Sequence, residues 1–161
     1  MNRNPLTSAD GFTLILVMAI IAIMGITLGA ASQSWRTIMQ REREEELLFR
    51  GTQIRNAILK WRNPRPAPGT PTPPPRTLRD LKDLLEDPSS AGRVRYLRRL
   101  YTDPITNKDF DLITDPASGI VGVKSASQDP PMKRANFPDE LKAFTDKDKY
   151  SDWQFSALLK P

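Results

Sequence analysis

The sequence predicts an α+β protein: one long helix, then a small region of short helices and short strands. Three observations carry this. Gly11 to Trp35 runs 25 residues without a charge; a helical apolar period continues to Trp61; and beyond a proline-rich break come short apolar runs set between turn residues.

The apolar run opens the chain. Phe12 to Ala31, rich in Ile, Leu, Met and Ala, would form a helix roughly 30 Å long, about the thickness of a bilayer's hydrocarbon core. A helix that is apolar on every face for this length is foreign to soluble cores. The run also exceeds the h-region of a secretory signal, although Gly29, Ala30 and Ala31 would serve as a small-residue cleavage site. Arg3 lies on one side and Arg36, Arg41 and Arg43 on the other, so charge alone leaves the orientation open. Gly25 and Gly29, four apart, permit close helix approach.

After Trp35, Leu47, Ile54, Ile58 and Trp61 recur on one stripe that includes Gly51, predicting a continuous helix from about 12 to 62. The charged block Arg41 to Glu46 reads as a solvated surface, with Arg41–Glu45 and Glu46–Arg50 as i,i+4 pairs. Asn63 to Arg76 holds seven prolines and reads as an extended connector. Thr77 then reads as an N-cap for a short helix over Leu78 to Glu86, stopped before Pro88.

Arg93 to Tyr101 (RVRYLRRLY) carries four arginines and two tyrosines. Val94, Leu97 and Tyr101 would share one helical face, with Arg95, Arg98 and Arg99 elsewhere on its surface. An exposed basic face or partner docking is expected here rather than nucleic acid. Phe110 to Ile113 and Ile120 to Lys124 read as strands around the turn Asp115-Pro116-Ala117-Ser118-Gly119. Trp153 and Phe155 are expected to close the core.

Composition narrows the function. The chain has no His and no Cys, removing the commonest general base, the commonest metal ligand and any disulfide. Catalysis is therefore not expected. The net charge of +5 suits an acidic membrane surface or an acidic partner as well as nucleic acid.

Gly11-Phe12-Thr13-Leu14-Ile15, after a short polar leader and at the head of the span, resembles the signature of type IV pilins and type II secretion pseudopilins. The resemblance implies a leader over residues 1–11, cleavage by the prepilin peptidase after Gly11, and methylation of Phe12. It implies a membrane and assembly helix over 12–35, with Thr13, Leu14, Ile15, Leu16, Gly25 and Gly29 at helix contacts. An amphipathic continuation over 36–62 and the linker 63–76 would lead to an extracytoplasmic region over 77–161. Implied partners are other pseudopilin subunits, the inner-membrane assembly platform and the lipid bilayer. The implied location is the bacterial inner membrane, single-pass, with the carboxy-terminal region in the periplasm.

Leu16 departs from the family, whose members mostly carry a glutamate at this fifth mature position. Leucine avoids the several-kcal/mol cost of a carboxylate in lipid but cannot neutralise a neighbour's amine. Some minor, tip-located pseudopilins share this departure.

The run from TDPITNKDFDLI through GIVGVKS to SDWQF resembles the carboxy-terminal region of major pseudopilins. That likeness implies a small antiparallel sheet against the long helix, a pilin-like fold. It also makes calcium a candidate ligand of Asp146, Asp148 and Asp152, the alternative being solvated loop acids. The absence of a carboxy-terminal disulfide favours the secretion branch over a type IV pilus subunit. A membrane-anchored interaction module and a secreted domain released after Ala31 are the other readings.

Overall fold

A computed structural model of the chain describes residues 9–64, 74–89 and 94–158. Most of the leader (1–8), the middle of the linker (65–73) and Arg93 lie outside the described residues. The fold is α+β: an amino-terminal helix, short 3-10 helices and a three-stranded antiparallel sheet.

Helix α1 spans Ala9–Arg62, 54 residues, matching the expected continuous helix. It ends where Pro64 restricts Asn63 and breaks the donor pattern. Lys60 and Arg62 complement the dipole of its last turn. Chain packing divides at Gln40/Arg41 into two compact units.

In the unit from Arg41 onward, the expected stripe is buried: Leu47, Gly51, Ile54, Ile58 and Trp61 all face the core. Its partner layer is the sheet, with β1 at Asp111–Asp115, β2 at Gly119–Lys124 and β3 at Gln154–Ser156, in the order β1-β2-β3. Leu112 sits opposite Val123, and Val123 opposite Phe155; the register slips between Ile113 and Thr114. The β1–β2 turn follows from Asp115, whose carboxylate accepts from the Ala117 and Ser118 N–H groups at 3.2 and 2.9 Å. Gly119 closes it at φ +70°, a backbone conformation that favours glycine.

Aromatic rings fill the core beside β3. Trp153 stacks on Phe144 with centroids 5.6 Å apart, while Phe137 and Tyr150 meet it edge-on at 5.5 and 5.4 Å. Trp153 and Phe155 are fully buried, as the sequence predicts.

Three sequence expectations are corrected. The helix expected over Leu78 to Glu86 is a 3-10 turn at Leu81–Leu84, capped by Asp80 rather than Thr77; the Asp80 carboxylate accepts from the Lys82 N–H at 2.9 Å. The reason is that Leu78 is drawn into a bridge with Gly119, where its carbonyl accepts from the Ile120 N–H at 2.8 Å. Residues 94–101 are not helical either. The N–H groups of Tyr96 and Leu97 both donate to the Leu84 carbonyl, at 3.0 and 2.9 Å, so cross-chain pairing replaces the i→i−4 ladder. Leu97 is buried and Val94 exposed, so the expected shared face does not exist. The third correction concerns Glu44, which is buried in the block expected to be a solvated surface. Within that block Glu46 does pair with Arg50 at 2.8 Å, but Arg41 and Glu45 form no bridge.

Candidate functional site

The amino-terminal helix carries the residues singled out in the sequence. Gly11–Gly29 is long and apolar enough to cross a membrane: 19 residues of mean hydropathy 2.6, with none of the span buried against the protein. Phe12 and Leu16 are exposed. At Gly11, Gly25 and Gly29 a Cβ would meet nothing within 4 Å, so their surfaces are open. Thr13, Leu14 and Ile15 lie on the same exposed stretch. Thr27 returns its hydroxyl to the Met24 carbonyl at 2.9 Å, which satisfies one polar group on the exposed apolar span.

The buried polar groups of the globular unit act as clamps. Glu44 accepts from the Met132 N–H, from the Lys133 N–H at 3.2 Å and from the Tyr150 hydroxyl at 2.7 Å. Three donors satisfy a carboxylate that burial would otherwise penalise. The clamp fixes the segment after β2 to α1. Arg55, also buried, donates from Nε to the Ser156 carbonyl at 3.2 Å and from Nη1 to Glu140 at 3.0 Å. Asp103, fully buried, accepts from the Ile105 N–H, the Thr106 hydroxyl and the Ser125 hydroxyl, at 2.9, 2.9 and 2.7 Å.

Arg76, where the chain returns from the linker, lies over the Trp61 ring at 4.0 Å and grips Asp87 with two bonds of 2.7 and 2.9 Å. The guanidinium, aided by the Ser89 hydroxyl and N–H, holds the Asp87 carboxyl far below the usual carboxylate range despite burial. Arg76 is raised in turn by that same bond. Burial, then the Asp87 charge, pushes the Tyr96 phenol up. Because the folded state keeps Asp87 ionised, the unfolded chain takes up the extra proton on acidification. The stability contributed by Asp87 is complete above about pH 4 and is lost as the pH falls towards the lower folded value. Urea titrations of the full chain in detergent should show this acid-side loss, and Asp87→Asn should flatten it while lowering stability at neutral pH.

Sequence reasoning missed Glu44, Arg55 and Asp103 as buried groups. The local signal existed only at Asp103-Pro104, where Asp before a turn followed by Thr106 favours an Asx turn. Nothing local marks Glu44, whose donors lie 88 to 106 residues away.

Asp146, Asp148 and Asp152 are all exposed. The Asp146 N–H donates to the Arg134 carbonyl of a separate segment at 3.1 Å, and the Asp152 N–H to the Lys149 carbonyl within a short turn at 3.1 Å. Among the described residues no three His, Cys, Asp or Glu side chains are grouped to hold a metal ion.

Comparison with family models, with curated proteins and with solved structures finds no match to this chain.

Proposed function

We propose that this chain is a pseudopilin-type subunit of a type II secretion apparatus, acting by assembly rather than catalysis. The observation that carries the reading is Gly11-Phe12-Thr13-Leu14-Ile15 at the head of a 19-residue apolar span within the unbroken helix α1. Cleavage after Gly11 would leave an uncharged aromatic at the start of a helix that can slide lengthwise from lipid into a bundle of like helices. The open surfaces at Gly25 and Gly29 support such close packing. The small antiparallel sheet facing α1 within the globular unit is the arrangement a pilin-like fold would have. On this reading the chain is single-pass in a bacterial inner membrane, its globular unit is periplasmic, and prepilin peptidase, sister subunits and the assembly platform are its partners.

Leu16 narrows the role to a minor or tip subunit, since it offers no carboxylate to the amine of an adjacent chain. No step is assigned to calcium.

The mature amino terminus tests the reading. Mass spectrometry of the protein recovered from membranes should give methylated Phe12, and Gly11→Val should leave the chain starting at Met1. A wild-type chain starting at Met1 would make it a plain anchor, and one starting at Ser32 a secreted domain; either result overturns the proposal.

A further inference from the structure

The globular unit carries two adjoining surface clefts of unlike chemistry. The first, about 370 Å³, has an apolar floor of Ile54, Leu97, Phe110 and Ile120, with Leu100 and Leu112 at its mouth. The second, about 310 Å³, is lined by Arg95 and Arg98 together with Tyr96 and Gln53. Leu97 and Tyr101 belong to both and form the wall between them.

Tyr101 also joins the clefts to the surface around them. Phe49 meets its ring edge-on at 6.5 Å and Arg99 lies over it at 5.2 Å. Phe49 is 57% exposed, Leu112 46% and Leu100 41%. Large apolar side chains left this open on one face of a folded unit mark an interaction surface rather than scatter.

The charge around this face is one-sided. Arg79, Lys82, Arg95, Arg98 and Arg99 are all exposed, and none is in an ion pair with a described residue. Only Asp80 and Asp109 oppose them at the clefts, and the Asp80 carboxylate is already engaged by the Lys82 N–H. Four cations and two carboxylates lining the clefts, around an apolar floor, call for a partner that brings both negative charge and large apolar side chains.

We propose that this face docks an acidic segment of a different protein, whose apolar side chains enter the Leu100–Leu112 cleft while its carboxylates meet Arg95, Arg98 and Arg99. A second copy of this chain fits poorly: with a net charge of +5 it would bring like charge to a basic face. The proposal does not depend on filament assembly and holds equally for a plain membrane anchor.

The test uses the full chain in uncharged detergent micelles and labelled amphipathic peptides of about five helical turns. One peptide carries Glu with Leu and Phe, a second replaces Glu by Lys, and a third replaces Leu and Phe by Ser. Fluorescence anisotropy should show the Glu/Leu/Phe peptide binding about tenfold or more tightly than either relative, weakening as salt rises from about 0.05 to about 0.5 M. The double variant Arg95→Glu/Arg98→Glu, and separately Leu112→Gln, should each weaken that binding about tenfold with the unfolding midpoint unchanged. Lys142→Glu, an exposed cation on the 139–144 turn, serves as the control and should bind like wild type. Identical micelles throughout cancel partition of the peptide into detergent. No binding of the Glu/Leu/Phe peptide, equal binding of all three, or variants without effect would overturn the proposal. So would displacement of the peptide by an oligothymidylate or by anionic lipid vesicles, or a loss of self-association in Arg95→Glu/Arg98→Glu, since the face would then serve nucleic acid, membrane or a sister copy.

Discussion

Replacing Gly51 by alanine destabilises the globular unit, and replacing it by leucine does so severely. The direction is opposite to that of helix propensity, by which Gly→Ala in mid-helix gains about 1 kcal/mol. A Cβ at position 51 would lie 2.5 to 2.6 Å from three carbons of the Phe155 ring, far inside van der Waals contact. The ring has nowhere to go. Phe155 is fully buried, is met edge-on by Phe144 at 5.0 Å, and sits on β3 opposite Val123. The helix cannot retreat without withdrawing Leu47 and Ile54 from the same core. Overpacking of this kind costs ~1–3 kcal/mol and more for larger insertions, which outweighs the propensity gain. Against a total stability of about 5–15 kcal/mol, Gly51→Leu should leave little folded unit. Urea unfolding of the full chain, followed by tryptophan emission, measures both variants. A Gly51→Ala midpoint above wild type would show that the ring and helix do not meet this closely.

Glu44→Leu is expected to cost about 3 kcal/mol, although it replaces a charge by an apolar side chain in a buried position. The substitution strips the acceptor from the Met132 and Lys133 N–H groups and the Tyr150 hydroxyl. Each stranded buried donor costs about 1–3 kcal/mol, reduced where water can follow it in. The nearby groove lined by Arg41, Leu48 and Met132 gives water that access, so the sum falls short of three full penalties. Glu44→Gln should fall between, because the amide supplies one acceptor oxygen but turns two donors towards donors. Glu45→Leu, one residue along and exposed, should change stability by no more than about 0.5 kcal/mol. Hydrogen exchange at the Met132 and Lys133 amides should accelerate in Glu44→Leu alone. If Glu44→Leu and Glu45→Leu unfold at the same urea concentration, the clamp contributes nothing.

The two variants also separate what is readable along the chain from what is not. Gly51 could be placed on the buried stripe by its spacing from Leu47 and Ile54, yet its spacing does not reveal that Phe155 occupies the room its missing side chain leaves. Glu44 reads as one acid among several in a charged helix, and its role comes from donors more than 80 residues away. A helical period is a local property repeated every 3.6 residues, so α1 and its apolar span are legible from composition and spacing. The β1–β2 hairpin is legible for the same reason, because Asp115 and Gly119 write the turn locally.

The segments over 78–86 and 94–101 differ because their backbone groups are claimed from outside. Leu78 gives its carbonyl to Ile120, and Leu84 gives its carbonyl to Tyr96 and Leu97. Weak local helix preference, worth a few tenths of a kcal/mol per residue, yields to those bonds and to burial of Leu78, Leu84 and Leu97. The sequence by itself therefore determined the apolar span, the long helix and its buried stripe. Tertiary structure alone decided which acids are buried clamps, which short segments give up helix for cross-chain pairing, and where the basic residues meet an apolar cleft. The former rest on neighbours within a helical turn or two; the latter on partners brought together only when the core closes.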